Sequence, residues 1–272
     1  MTAPAEPSTF PPRNPERLRP PTEEKIAMEI VTERVEVPLA GGGTMGGYLA
    51  RPASGGPHPA VVVFMEIFGV NAHIRDVTER VAREGYVALA PDYFHRTGPG
   101  VEYDYDDDGM AKGMVLLGQL VASEMIGDAT SAVAFLRGRV DTTGKVGAMG
   151  FCIGGHMAYL TAAEADVDAA ASFYGGGIVA DPGPGGEAST VGRTAKIGGR
   201  LLCLFGAEDT LITPDQVATI QAALADAGTN HEVVVYDGAD HGFFCDRRAT
   251  HHEGSAADAW QRVKTLFATE LA

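Results

Sequence analysis

Cys152, Asp209 and His241 are the residues of this sequence whose types and spacing can do covalent chemistry. Cys152 stands at the centre of Gly150-Phe151-Cys152-Ile153-Gly154-Gly155. That motif joins an apolar run, Lys145 to Met149, to small apolar residues at helical spacing. Two readings of the thiol compete. A core thiol needs only apolar neighbours, and Cys203 inside "LLCLF" has that setting. A nucleophile must be lifted clear of its strand. Glycines at 150 and 154 let two backbone segments approach closely in a strained strand-to-helix turn, which exposes the central side chain at a helix N-terminus. The helix dipole there favours negative charge, and so a thiolate.

A thiol nucleophile needs a base, and the base needs an orienting acid. After "RLLCLF" comes Gly206-Ala207-Glu208-Asp209, and after "HEVVVY" comes Asp237-Gly238-Ala239-Asp240-His241-Gly242-Phe243. Nucleophile, acid and histidine therefore occur in that order, each in a loop following a strand, at the end where open parallel sheets place their sites. His241 would exchange the proton with Cys152, and Asp209 would fix the imidazole tautomer and stabilise its cation. Glu208 competes as the acid, but Asp209 fits the G-x-x-D spacing better. Asp240 adjoins His241, which makes orientation of the ring difficult.

The elements that must position these residues follow from periodicity. "EIVTERVEV" alternates as an edge strand does, with a short partner over 46–50. "AVVVFM" (60–65) is continuously apolar, as a strand buried on both faces is. An amphipathic helix over 72–85, the strand "YVALAPD" and helical segments ending near Arg139 follow. Strand 145–149, helix 155–163, strand "AAASFY" and a glycine-rich loop over 175–199 continue the pattern. The strands "RLLCLF" and "HEVVVY", with helices 214–227 and 255–271, complete it. Repeated strand–helix units predict one α/β domain over 28–272: a mostly parallel sheet of about eight strands with helices on both faces. Residues 1–27 are dense in proline and read as an extended arm.

The composition narrows the function. A net charge of -15 argues against nucleic acid and anionic membranes as partners and requires a local cation for any anionic substrate. Three cysteines make neither a disulfide framework nor a CxxC site, so a reduced, cytoplasmic setting is expected. No run approaches the roughly 20 apolar residues of a membrane span. Three motifs are decoys. Gly41-Gly42-Gly43-Thr44-Met45-Gly46 matches GxGxxG but opens no helix, so a hairpin turn is expected. The calcium-like Asp104-Tyr105-Asp106-Asp107-Asp108-Gly109 has Val115 where a glutamate should close the loop, so its aspartates read as helix caps. His251-His252-Glu253 has no further ligand at metal spacing and leads into the last helix. No metal or cofactor is expected.

Gly150 to Gly155, Gly206 to Asp209, His241-Gly242-Phe243 and "MEIFGV" at 65–70 together resemble the dienelactone hydrolase family of α/β-hydrolases, over roughly residues 29–271. The resemblance implies cofactor-independent hydrolysis of a small ester or lactone through a thioester. It also implies that Glu66 switches the nucleophile on, and that the backbone N–H groups of Ile67 and Ile153 form the oxyanion hole. Members of the family hold a substrate carboxylate with two arginines. Arg96 in "PDYFHR" matches the first, but Cys245 stands where the second belongs, with Arg247 and Arg248 out of register. A thiol does not replace a guanidinium clamp. Tyr174 reads as a pocket wall or as a strand-end aromatic. The readings left open are a broad carboxylesterase or thioesterase, and a non-catalytic protein in which Cys152 senses redox state. The expected form is a monomer or homodimer.

Overall fold

The computed structural model describes residues 28–272, so the arm expected over 1–27 lies outside the described residues. Eight strands form one sheet: β1 (Ile30–Pro38), β2 (Thr44–Pro52), β3 (His58–Phe64), β4 (Val87–Pro91), β5 (Thr142–Phe151), β6 (Ala169–Phe173), β7 (Arg200–Gly206) and β8 (His231–Tyr236). Their order is β1-β2-β4-β3-β5-β6-β7-β8. β1 and β2 form an antiparallel hairpin around the Gly41–Gly43 turn, and β2 pairs antiparallel with β4. All remaining pairings are parallel. This is the α/β-hydrolase arrangement.

Among the described residues six α-helices accompany the sheet: α1 (Ala72–Arg83), α2 (Asp107–Leu117), α3 (Ala122–Arg137), α4 (Ile153–Glu164), α5 (Pro214–Asp226) and α6 (Glu253–Glu270). Their placement follows from strand alternation. On β5, a side chain at Gly147 would meet Phe267 of α6, whereas one at Gly150 would meet Gly154 of α4. Positions 147 and 150 point to opposite faces, so α6 and α4 lie on opposite sides of the sheet. α1 buries Ile74, Val77 and Val81, and its C-terminal end meets α6 through Glu84–Lys264 and the adjoining Tyr86–Phe267 ring contact. Asn71 caps it, accepting the His73 and Ile74 N–H groups.

Two elements depart from the sequence expectation. β5 begins at Thr142, before its apolar run, because an irregularity opposite His58–Ala60 lets the polar Thr142 pair with His58. The glycine-rich loop contains a 3₁₀ helix over Thr190–Lys196. That helix is held by polar contacts with no sequence period: Thr190 to His156 at 3.0 Å and Thr194 to Tyr159 at 2.5 Å. The Asp106 carboxylate caps α2 by accepting the Gly109 N–H at 2.7 Å.

Candidate active site

Cys152 links β5 to α4 with φ 57° and ψ -119°, a left-handed conformation that few non-glycine residues adopt. The glycines around it answer to close packing. A Cβ at Gly154 would lie 2.4 Å from the Phe64 and Met65 carbonyls, and one at Gly150 would lie 2.1 Å from the Gly154 carbonyl. The elbow is therefore wedged against the end of β3 on one side. On the other, the Cys152 N–H donates to the Phe173 carbonyl of β6 at 3.1 Å. Strain held by two neighbouring strands keeps the thiol half-exposed at the head of α4.

His241 and Asp209 meet from the loops after β8 and β7. Nδ1 of His241 lies 2.8 Å from Oδ2 of Asp209, whose other oxygen accepts the Leu211 and Ile212 N–H groups at 2.8 and 3.1 Å. Both carboxylate oxygens are thereby fixed, and the tautomer that donates from Nδ1 is set. Glu208 is exposed, and Asp240 accepts the backbone N–H of His241 and does not engage its ring. Nε2 of His241 is buried without a formed hydrogen bond. Burial opposes the imidazolium, but the Asp209 hydrogen bond and the negative charge of Asp209 and of the nearby Cys152 sulfur outweigh it and raise the ring to about 10. Burial pushes the Cys203 thiol up to about 12 and, with Glu66 nearby, the Cys245 thiol up to about 11, so neither is a thiolate at neutral pH.

Ile67 follows β3, and Ile153 opens α4, where the first N–H groups of a helix have no intrahelical acceptor. α2 presses on this corner: a Cβ at Gly113 would lie 2.6 Å from the Ile67 carbonyl. Tyr174 is fully buried at φ 37°, its ring centroid 5.0 Å from that of His241 and its hydroxyl unpartnered.

Glu66 is fully buried with both oxygens engaged. Arg248 donates to Oε1 at 3.1 Å and the Tyr105 hydroxyl donates to Oε2 at 2.8 Å. Spacing along the sequence puts Arg248 out of register, but the chain coils after His241. The Cys245 N–H donates to the Gly242 carbonyl, and the Arg248 N–H donates to the Cys245 carbonyl. This coil returns the guanidinium over Gly242, at φ +83°, where a Cβ would stand 2.6 Å from Nη1. A glycine directly after the histidine was the available signal for that approach. Tyr105, in an irregular acidic loop, offered none.

Arg96, expected to bind substrate, is placed away from the elbow. It donates both arms of its guanidinium to Asp128 of α3, at 2.6 and 2.9 Å, with Glu124 at 3.5 Å. The grooves it borders are lined by the β1–β2 turn and α3, and neither Cys152, His241 nor Glu66 lines them. Asp128 is buried, so its charge needs that partner, and Arg96 is a structural cation of α3.

The profile of the dienelactone hydrolase family matches residues 45–271. A Synechocystis sp. protein, provisionally named a carboxymethylenebutenolidase, is 47% identical over 226 residues, covering 83% of this chain and 92% of the relative. The carboxymethylenebutenolidase of Pseudomonas putida is 35% identical over 150 residues, 55% of this chain and 63% of the relative. The crystal structure of a protein from Klebsiella pneumoniae, provisionally titled a dienelactone hydrolase, superposes with a TM-score of 0.81 at 34% identity, covering 89% of this chain and 99% of that one.

Proposed function

The chain belongs to the dienelactone hydrolase family and is a hydrolase of ester bonds, and on that premise we propose that it cleaves a small ester or lactone through a thioester on Cys152. With the Cys152 proton resting on Nε2 of His241, the thiolate of this ion pair attacks the carbonyl carbon. The Ile67 and Ile153 N–H groups receive the developing oxyanion. The C–O bond breaks as His241 returns the proton to the leaving oxygen; in a lactone that alcohol stays tethered to the acyl group. Water, deprotonated by His241, then attacks the thioester, releasing the acid and restoring the thiol. Glu66 governs when the thiol becomes reactive, and the buried Tyr174 ring packs against His241 and backs it.

The observation that carries this reading is the 2.8 Å Asp209–His241 pair behind an elbow that holds Cys152 at φ 57°. The cation proposed to meet a substrate carboxylate is Arg248, which also holds Glu66 beside the elbow, whereas Arg96 lies against Asp128 of α3. The test is turnover of p-nitrophenyl acetate and of a carboxylate-bearing lactone by Cys152→Ala. Loss of both with the fold intact is expected, and near-normal turnover of either overturns the reading.

A further inference from the structure

We propose that Tyr105 is a positioning residue of this site: its hydroxyl, opposite the Arg248 guanidinium, fixes the Glu66 carboxylate in one orientation next to the elbow. The proposal rests on reading Cys152 as the nucleophile.

Arg248 alone leaves Glu66 free to turn. A single contact to Oε1 defines one oxygen, and the second contact, from Tyr105 to Oε2, defines the plane. That plane matters because Glu66 directly follows Met65, whose carbonyl packs against Gly154 of the elbow.

Tyr105 is itself held firmly. The Tyr103 N–H donates to the Phe68 carbonyl at 2.9 Å, and Gly69 pairs with Glu102 as an isolated β-bridge. The Tyr105 ring packs 4.6 Å from Phe68, and Asp106 next to it caps α2. The strap over residues 101–106 is thus stitched to the stretch that carries Ile67. The hydroxyl reaches Glu66 on the same rigid unit as the expected oxyanion hole.

The contact has a fixed polarity. Burial and the Glu66 charge push the Tyr105 phenol well above its usual range, so it remains a donor. A donor of that kind favours carboxylate over carboxylic acid. The other titratable groups facing Glu66 are His73 of α1, Tyr93 after β4, Tyr174 after β6 and Cys245 after β8. Burial lowers His73 and raises the other three, so each is pushed toward its neutral form.

Tyr105→Phe keeps the ring on Phe68 and removes only the O–H. With a neutral ester, kcat is expected to fall about tenfold with KM within about twofold, and the acid limb of kcat/KM to move to higher pH. A 3-fluorotyrosine at position 105, a stronger donor, moves that limb the other way and guards against a folding defect in the Phe variant. The double variant Tyr105→Phe/Glu66→Gln matches Glu66→Gln alone, because the hydroxyl acts through that carboxylate. A Tyr105→Phe profile that overlays wild type, or effects of the two changes that multiply, overturns the proposal. Absence of a Cys152 thioester in the wild type sinks the underlying reading instead, whatever Tyr105→Phe does.

Discussion

Replacing Asp209 by asparagine tests how the histidine is set. The substitution preserves size and leaves one oxygen to accept the Leu211 and Ile212 N–H groups, so the loop after β7 keeps its anchor. The amide nitrogen then faces Nδ1 of His241 in place of the oxygen now 2.8 Å away. A donor there forces the proton onto Nε2, the atom that must receive the thiol proton, and removes the buried charge that stabilises the imidazolium. In a serine triad the same wrong-tautomer change costs about 10⁴-fold in kcat, about 5 kcal/mol of barrier. A thiol is more acidic than a hydroxyl and depends less on its base, so a smaller loss applies. About 3–4 kcal/mol is roughly 10²–10³-fold in kcat. The assay is steady-state hydrolysis of p-nitrophenyl acetate across pH, with thermal melting as the fold control. A variant that still melts cooperatively as a folded protein and keeps kcat within fivefold refutes this assignment of Asp209.

The same pair gives a stability prediction. His241 is raised from 6.5 to about 10, so its ionic contact with Asp209 stabilises the fold fully below the unfolded value and ceases to do so as pH rises through about 10. In urea unfolding, the gap between wild type and Asp209→Asn is expected to be larger near pH 6 than near pH 10.5; an equal gap contradicts the pairing. Arg248→Ala should weaken kcat/KM for a carboxylate-bearing lactone about 10–100-fold more than for a neutral ester, as expected of a charged hydrogen bond worth about 1.5–3 kcal/mol. Arg96→Ala should not discriminate between those substrates; the reverse pattern would return Arg96 to the site. Gly242→Ala, at φ +83° and against Arg248, should cost about 1–2 kcal/mol by urea unfolding and impair the same lactone selectively. Unchanged lactone kinetics would show that Gly242 does not seat Arg248.

The strand–helix alternation was legible because buried parallel strands are apolar throughout and helices alternate with them. The neighbourhoods of Cys152, Asp209 and His241 were legible because each follows its strand directly, so a local motif carries the long-range placement. The pairing of Arg96 was not legible because its partner, Asp128, lies on a helix 32 positions away and no local pattern joins them. Arg248 was set aside because counting from His241 assumes an extended chain, whereas the Gly242–Cys245–Arg248 turns shorten the path. Tyr105 was hidden in a loop whose sequence pattern is dominated by aspartates. Its role depends on a β-bridge between Gly69 and Glu102, a pairing without strand-length alternation on either side.

The most direct test of the account is the identity of the covalent intermediate. Wild type mixed with p-nitrophenyl acetate, quenched in acid within the burst and digested, should carry one acetyl group on the peptide containing Cys152. Cys203 and Cys245 should remain unmodified, and Cys152→Ala should carry none. An acetyl group on another residue, or steady turnover with no acyl-enzyme under conditions that trap thioesters, would contradict it.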